Sequence, residues 1–68
     1  MYSNHNEIEL SDLIIREWKI RNDCPSSSDS WYFHENKCHE IGNELRERYN
    51  WKNEDFTQLY MYNVGDDF

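Results

Sequence analysis

The sequence predicts an all-α fold, a small three-helix bundle with one long central helix, and three observations carry that reading. Trp31, His34, Cys38, Ile41, Leu45 and Tyr49 recur at spacings of three and four, which at 100° per residue confines them to a stripe about 80° wide. The only proline, Pro25, opens the serine run Ser26-Ser27-Ser28 and marks one clear loop from Asn22 to Asp29, because proline lacks a donor and Ser and Asp favour turns and caps. Asn50 and Asn53 mark a second break before a short third segment.

Upstream of the loop, Ser11 with Asp12 is placed to cap a helix running to about Arg21. Leu10, Leu13, Ile14, Trp18 and Ile20 form its broad apolar arc, with Ile15 outside the centre. A strand over Asp12 to Ile20 is the competing reading because isoleucine is β-branched. The Arg16-Glu17 interruption and the i, i+4 spacing of Ile14 and Trp18 favour helix.

Downstream, the stripe requires a helix from about Ser30 to Asn50, capped by Ser28 or Asp29 and about 30 Å long at 1.5 Å per residue. Gly42 inside it costs up to about 1 kcal/mol against alanine, and its place at the stripe's edge points to close approach of another helix. Asn53 then caps a third helix from Glu54 to about Asn63, with Glu54 and Asp55 in the first turn, where the helix dipole favours acids. Gly65 supplies the stop. Phe56, Leu59 and Tyr60 face the core, while a terminal strand over Leu59 to Val64 is the alternative.

Size and charge bound what such a bundle does. Residues 1–68 read as one small acidic helical domain, and a chain this short buries only about 60% of the surface that its unfolded state exposes. Enclosed active sites and large cofactors are therefore not expected, and none is assigned. A mean hydropathy of −1.14 and a net charge of −7 would ordinarily point to disorder. Three Trp, five Tyr and three Phe supply large apolar bodies that disordered chains lack. Met1-Tyr2-Ser3-Asn4-His5 carries no positive leader, and no apolar run is long enough for a membrane span, so a soluble cytoplasmic protein without a membrane partner is expected. Cys24 and Cys38 are read as thiols, since a single pair in a reducing compartment usually stays reduced.

His34, Cys38 and His39 place possible metal ligands one helical turn apart, with Cys24 and His5 as further candidates. Structural zinc sites use two close pairs, and Cys24 has no close partner, so no metal is assigned. Nucleophilic catalysis through Cys38 would need a histidine base and a cleft, and a core-facing thiol serves neither. No enzymatic activity is expected.

The carboxylates and the outward aromatics are more informative. Glu40, Glu44 and Glu47 fall within about 60° of one another and roughly opposite the stripe. Together with Glu54, Asp55, Asp66 and Asp67 they form an acidic surface able to imitate the phosphates that a nucleic-acid-binding protein reads. Direct binding of nucleic acid is disfavoured, because Asp12, Glu17 and Asp23 offset the one basic cluster of Arg16, Lys19 and Arg21. Phe33, rotated about 200° from Trp31, emerges near the acidic ridge, and Met61 and Tyr62 leave the core face of the last helix. An apolar anchor within a polar rim is the usual anatomy of a protein interface.

The expected partner is a protein with a basic surface, one that binds nucleic acid, and the expected action is inhibition or modulation. In general character such chains resemble host-takeover proteins of bacterial viruses, DNA mimics and inhibitors of bacterial immunity among them, although no motif carries the resemblance and no family is assigned. The alternatives are a homodimeric or larger helical assembly whose charge keeps it soluble, a zinc-stabilised module, and an adaptor or antitoxin-like segment that orders only on its partner.

Overall fold

In the computed structural model, residues 2–65 are described and fold into three α-helices with no strand among them. Helix α1 spans Glu7–Asp23, α2 spans Asp29–Tyr49 and α3 spans Asn53–Asn63. The middle helix is the longest, at 21 residues. The segment Leu59 to Val64, for which a strand is the alternative, forms the end of α3 and its cap.

Helix α1 begins a turn before Ser11. The Asn6 side-chain oxygen accepts the Glu9 N–H at 2.8 Å, and a Glu9 carboxylate oxygen accepts the Asn6 N–H at 2.8 Å. This reciprocal capping box satisfies two donors that a helix start otherwise leaves open. Ser11 lies inside the helix and donates its hydroxyl to the Glu7 carbonyl at 2.8 Å. Leu10, Ile14 and Trp18 are buried, Leu13 and Ile15 pack against them from either flank, and Ile20 is exposed. Ile20 thus leaves the expected arc, since it stands about 120° from the centre of the buried face.

Helix α2 follows its sequence closely. Ser28 Oγ accepts the Trp31 N–H at 3.1 Å, and Asn50 ends the helix in the left-handed conformation at φ 62°, which asparagine tolerates better than most residues. All six stripe residues point inward: Cys38, Ile41 and Leu45 are buried, and Trp31, His34 and Tyr49 lie half-buried at the margins.

The start of α3 differs from expectation. Lys52 occupies the cap position, and the Asp55 carboxylate accepts its backbone N–H at 2.8 Å. Lysine has no acceptor to return that bond. Asn53 does not cap; its side-chain oxygen accepts from Arg46 Nη2 at 3.2 Å. At the other end, the Val64 and Gly65 N–H groups both bond to the Tyr60 carbonyl, at 2.7 and 2.8 Å, and Gly65 stops the helix without a positive φ.

The chain runs up, down and up. Glu17–His34, Arg21–Glu35 and Glu7–Trp51 contacts set α1 antiparallel to α2. Trp51 meets the start of α1, and Tyr60 meets Asn22 and Trp18 at its end, so α3 runs alongside α1. Helix α1 is the element against which both others pack. The buried cluster is Leu10, Ile14 and Trp18 from α1 with Cys38, Ile41 and Leu45 from α2; Phe56, Leu59 and Tyr60 of α3 are only half-buried against it.

Gly42 is buried on α2, and what approaches it is side chains rather than another backbone. A β-carbon placed there would lie 3.6 Å from Phe56 Cε1 and 4.0 Å from Ile14 Cδ1, ordinary contact distances. Alanine therefore fits without displacement and removes the helix-interior cost of glycine. Gly42→Ala should raise the unfolding free energy by about 0.5–1 kcal/mol in a urea titration. Leu45→Ala, which empties a fully buried position at the centre of the core, should lower it by about 2–5 kcal/mol in the same titration.

Candidate partner-binding surface

Helix α2 turns its apolar stripe toward α1 and its Gly42 side toward Phe56 of α3, and the rest of its circumference remains in solvent. Phe33, Glu40, Glu44 and Glu47 come together on one of those faces within about 60° of rotation. Phe33 is 57% exposed at the N-terminal end of this strip, and Lys37 Nζ lies over its ring at 5.3 Å from the centroid. Glu40 and Glu47 are exposed. Glu44 is half-buried and meets Arg48 Nη1 at 3.6 Å, so the middle of the ridge is partly neutralised.

The N-terminal residues complete this surface in a way that composition does not reveal. Arg48 Nη1 donates to the Tyr2 carbonyl at 3.0 Å, and the His5 N–H donates to the same oxygen at 3.1 Å. Tyr2 thereby forms a wall of a shallow groove shared with Glu40, Asn43, Glu44 and Glu47. Burial, followed by the negative charges of Glu40 and Glu17, pushes the Tyr2 hydroxyl above its ordinary pKa. The groove therefore presents a neutral phenol beside its carboxylates. Asn43 is exposed and stands one turn before Glu47; that i, i+4 relation is readable in the sequence, whereas nothing there indicates Tyr2.

The remaining expected residues lie elsewhere. Asp55 and Tyr62 share a separate shallow groove with Glu7, Trp51 and Leu59 along the outer side of α3. Tyr62 is 82% exposed there, and Asp55 serves as the cap acceptor of α3. Glu54 is exposed beside it. On α2, the side facing α3 is marked by Gly42 and Arg46, roughly 150° of rotation from the ridge. The two acidic surfaces therefore do not merge into one. Asp66 and Asp67 lie outside the described residues.

The chemistry-bearing side chains have structural partners. His34 Nδ1 donates to Glu17 Oε1 at 2.7 Å, and His39 Nε2 donates to Glu35 Oε2 at 3.0 Å. Arg21 Nη1 donates to the other Glu35 oxygen at 2.7 Å. Burial works to raise the Glu35 carboxyl, but the adjoining Arg21 and His39 outweigh it and hold the group below the usual carboxylate pKa. Among the described residues, no three His, Cys, Asp or Glu side chains converge in a geometry that holds a metal ion. None of the described helices is long and apolar enough to cross a membrane.

No protein-family model matches the chain, and neither the curated proteins nor the solved structures hold a significant match to it.

Both cysteines are free thiols. Burial above all, with the nearby Glu35 and Glu17 charges acting in the same direction, pushes the Cys38 thiol up to about 12. The reactive thiolate is therefore scarce at neutral pH, and the sulfur is covered as well. Cys24 is half-buried at the loop and donates to the Ile20 carbonyl at 3.3 Å. Native protein treated with iodoacetamide at pH 8 should label at Cys24 and remain unlabelled at Cys38 until denaturant is added, as read by peptide mass spectrometry.

Proposed function

We propose that this protein is a stoichiometric inhibitor or modulator that occupies the basic surface of a nucleic-acid-processing protein. The observation that carries the reading is the α2 ridge, where an exposed aromatic, Phe33, shares one helix face with Glu40, Glu44 and Glu47 on a chain of net charge −7. Successive carboxylates on that face are separated by rises of about 6 Å and 4.5 Å along the helix axis. A linear array of negative charge is what a nucleic-acid-binding groove is built to receive.

In this mechanism Glu40 and Glu47 meet Arg or Lys of the partner directly. Glu44 contributes less, because Arg48 already offsets it. The ridge speeds encounter and makes it salt-sensitive, while Phe33 supplies desolvated area that slows dissociation. The α3 groove with Asp55, Glu54 and Tyr62 is a second acidic surface for the same class of partner, on another side of the bundle. Action in the cytoplasm, and in a host cytoplasm for a viral protein, belongs to this proposal, as does the absence of catalysis.

The test is capture of tagged protein from host lysate at low salt and at about 0.3 M, where exposed charges are strongly screened. The expected result is one basic, nucleic-acid-binding protein retained at low salt and lost at high salt. Replacing Glu40, Glu44 and Glu47 with Lys should abolish that capture while circular dichroism stays unchanged. Retained capture by the folded triple variant removes the ridge from the mechanism, and salt-independent self-association alone would favour the oligomeric alternative.

A further inference from the structure

Because α3 leans on α1, its backbone does not approach α2, and a cleft of about 180 Å³ opens along α2 over α1, with Phe56 of α3 at its edge. Ile14, Trp18, Cys38 and Gly42 form an apolar floor with Phe56 at its side, while Arg21, His39, Asn43 and Arg46 around it make the accessible lining more polar than apolar. On a chain of net charge −7 this is an unusual concentration of basic side chains. Among the described residues Glu35 is the one carboxylate lining the cleft, and both of its oxygens are already engaged by Arg21 and His39.

Of the basic side chains around the cleft, Arg46 is the one that no described carboxylate engages. Its guanidinium lies 5.1 Å from the Phe56 ring centroid and donates to the neutral Asn53 side chain at 3.2 Å. No carboxylate among the described residues forms an ion pair with it. Asn43 adds a neutral polar group to the lining.

We propose that this cleft binds a small carboxylate with an apolar body, of which a monocyclic aryl carboxylate is the simplest form. The apolar body fills the space beside Trp18, Phe56 and Gly42, and the carboxylate meets Arg46. The volume agrees with a single ring, since a protein cavity of about 150 Å³ holds benzene. A free phosphate would satisfy Arg46 and leave the apolar floor uncovered. A neutral ring would do the reverse. A ligand with both parts uses both features, as small-molecule sites generally do. Asn43 borders both this cleft and the groove beside the ridge, but none of Glu40, Glu44 and Glu47 lines the cleft, and the proposal does not depend on the ridge's function.

The experiment is a ¹H–¹⁵N correlation titration of the full chain at constant ionic strength with benzoate, benzyl alcohol, benzylamine and inorganic phosphate. Benzoate should produce saturable shifts at Gly42, Asn43 and Phe56 with a Kd of about 1 mM or tighter. Arg46→Gln, at an exposed position, should weaken it about tenfold or more with unchanged helicity, and Arg46→Lys should restore part of the loss. Benzyl alcohol, benzylamine and phosphate should not saturate over the same range. Non-saturating shifts with benzoate, equal binding by Arg46→Gln, or phosphate binding as tightly as benzoate would overturn the proposal.

Discussion

One apolar seam supports everything else in this molecule. Leu10, Ile14 and Trp18 of α1 close against Cys38, Ile41 and Leu45 of α2, and these are the buried hydrophobic residues of the described chain. Each set follows a helical repeat, so the seam fixes the rotation of both helices about their axes. Because α1 and α2 bury so little beyond it, the orientation of every outward side chain on α2, the ridge included, follows from this contact. The third helix is held more lightly. Phe56, Leu59 and Tyr60 only half bury, and specific polar bonds support them: Asn22 to the Tyr60 hydroxyl at 2.8 Å, Trp51 to Glu7 at 2.7 Å and Arg46 to Asn53 at 3.2 Å. Such bonds position an element more than they stabilise it, since a typical net contribution is about 1 kcal/mol. Docking α3 on α1 leaves open the cleft along α2, where Phe56 is the one α3 side chain among the described lining residues.

The distribution of charge follows from how the few cations are used. Arg21 is tied to Glu35 and lies over Trp31, Arg48 holds both Glu44 and the Tyr2 carbonyl, and Lys37 covers Phe33. Each joins pieces of the same chain, and long basic side chains contribute their aliphatic stems to that packing. Several acids are engaged likewise, Glu17, Glu35 and Glu44 in ion pairs and Glu7, Glu9 and Asp55 in hydrogen bonds. Glu40, Glu47 and Glu54 are exposed and take part in no ion pair among the described residues. Arg16, Lys19 and Lys52 are exposed and also take part in no ion pair among the described residues, so the negative surface potential comes from the excess of fourteen acids over seven basic residues.

The helix with the strongest pattern was the most legible in sequence. Six stripe residues at spacings of three and four, bounded by Ser28 and Asn50, define α2, its caps and its inward face. The start of α1 was harder to read, because Asn6 and Glu9 form their capping box a turn ahead of Leu10, where the buried face begins. Asn53 carried the right chemistry for a cap, yet the chain turns at Lys52 and gives the Asn53 side chain to Arg46. The individual acidic and aromatic positions could be seen, but their grouping could not. Whether Tyr62 and Asp55 join Glu40 and Glu47 depends on which side of α1 receives α3, and that is decided by Trp18–Tyr60 packing and the Asn22 bond rather than by any local period. The place of Tyr2 beside the ridge likewise rests on Arg48, 46 residues away in sequence.

The same helix carries surfaces of opposite character, with the acidic ridge on one side and the cation-lined cleft roughly 150° around its axis. A helix with its side chains is about 10–12 Å across, which exceeds the Debye length of about 8 Å at physiological ionic strength. The field of the ridge is therefore largely screened before it reaches the cleft through solvent, and neither cancels the other. Were Arg46 to stand on the ridge face, it would pair with Glu40 or Glu47, and both features would be lost to a surface ion pair worth little in itself. Placing Arg46 over Phe56 keeps the ridge face of α2 predominantly negative. It also leaves an exposed guanidinium at the border of an apolar floor, where one ligand can meet both.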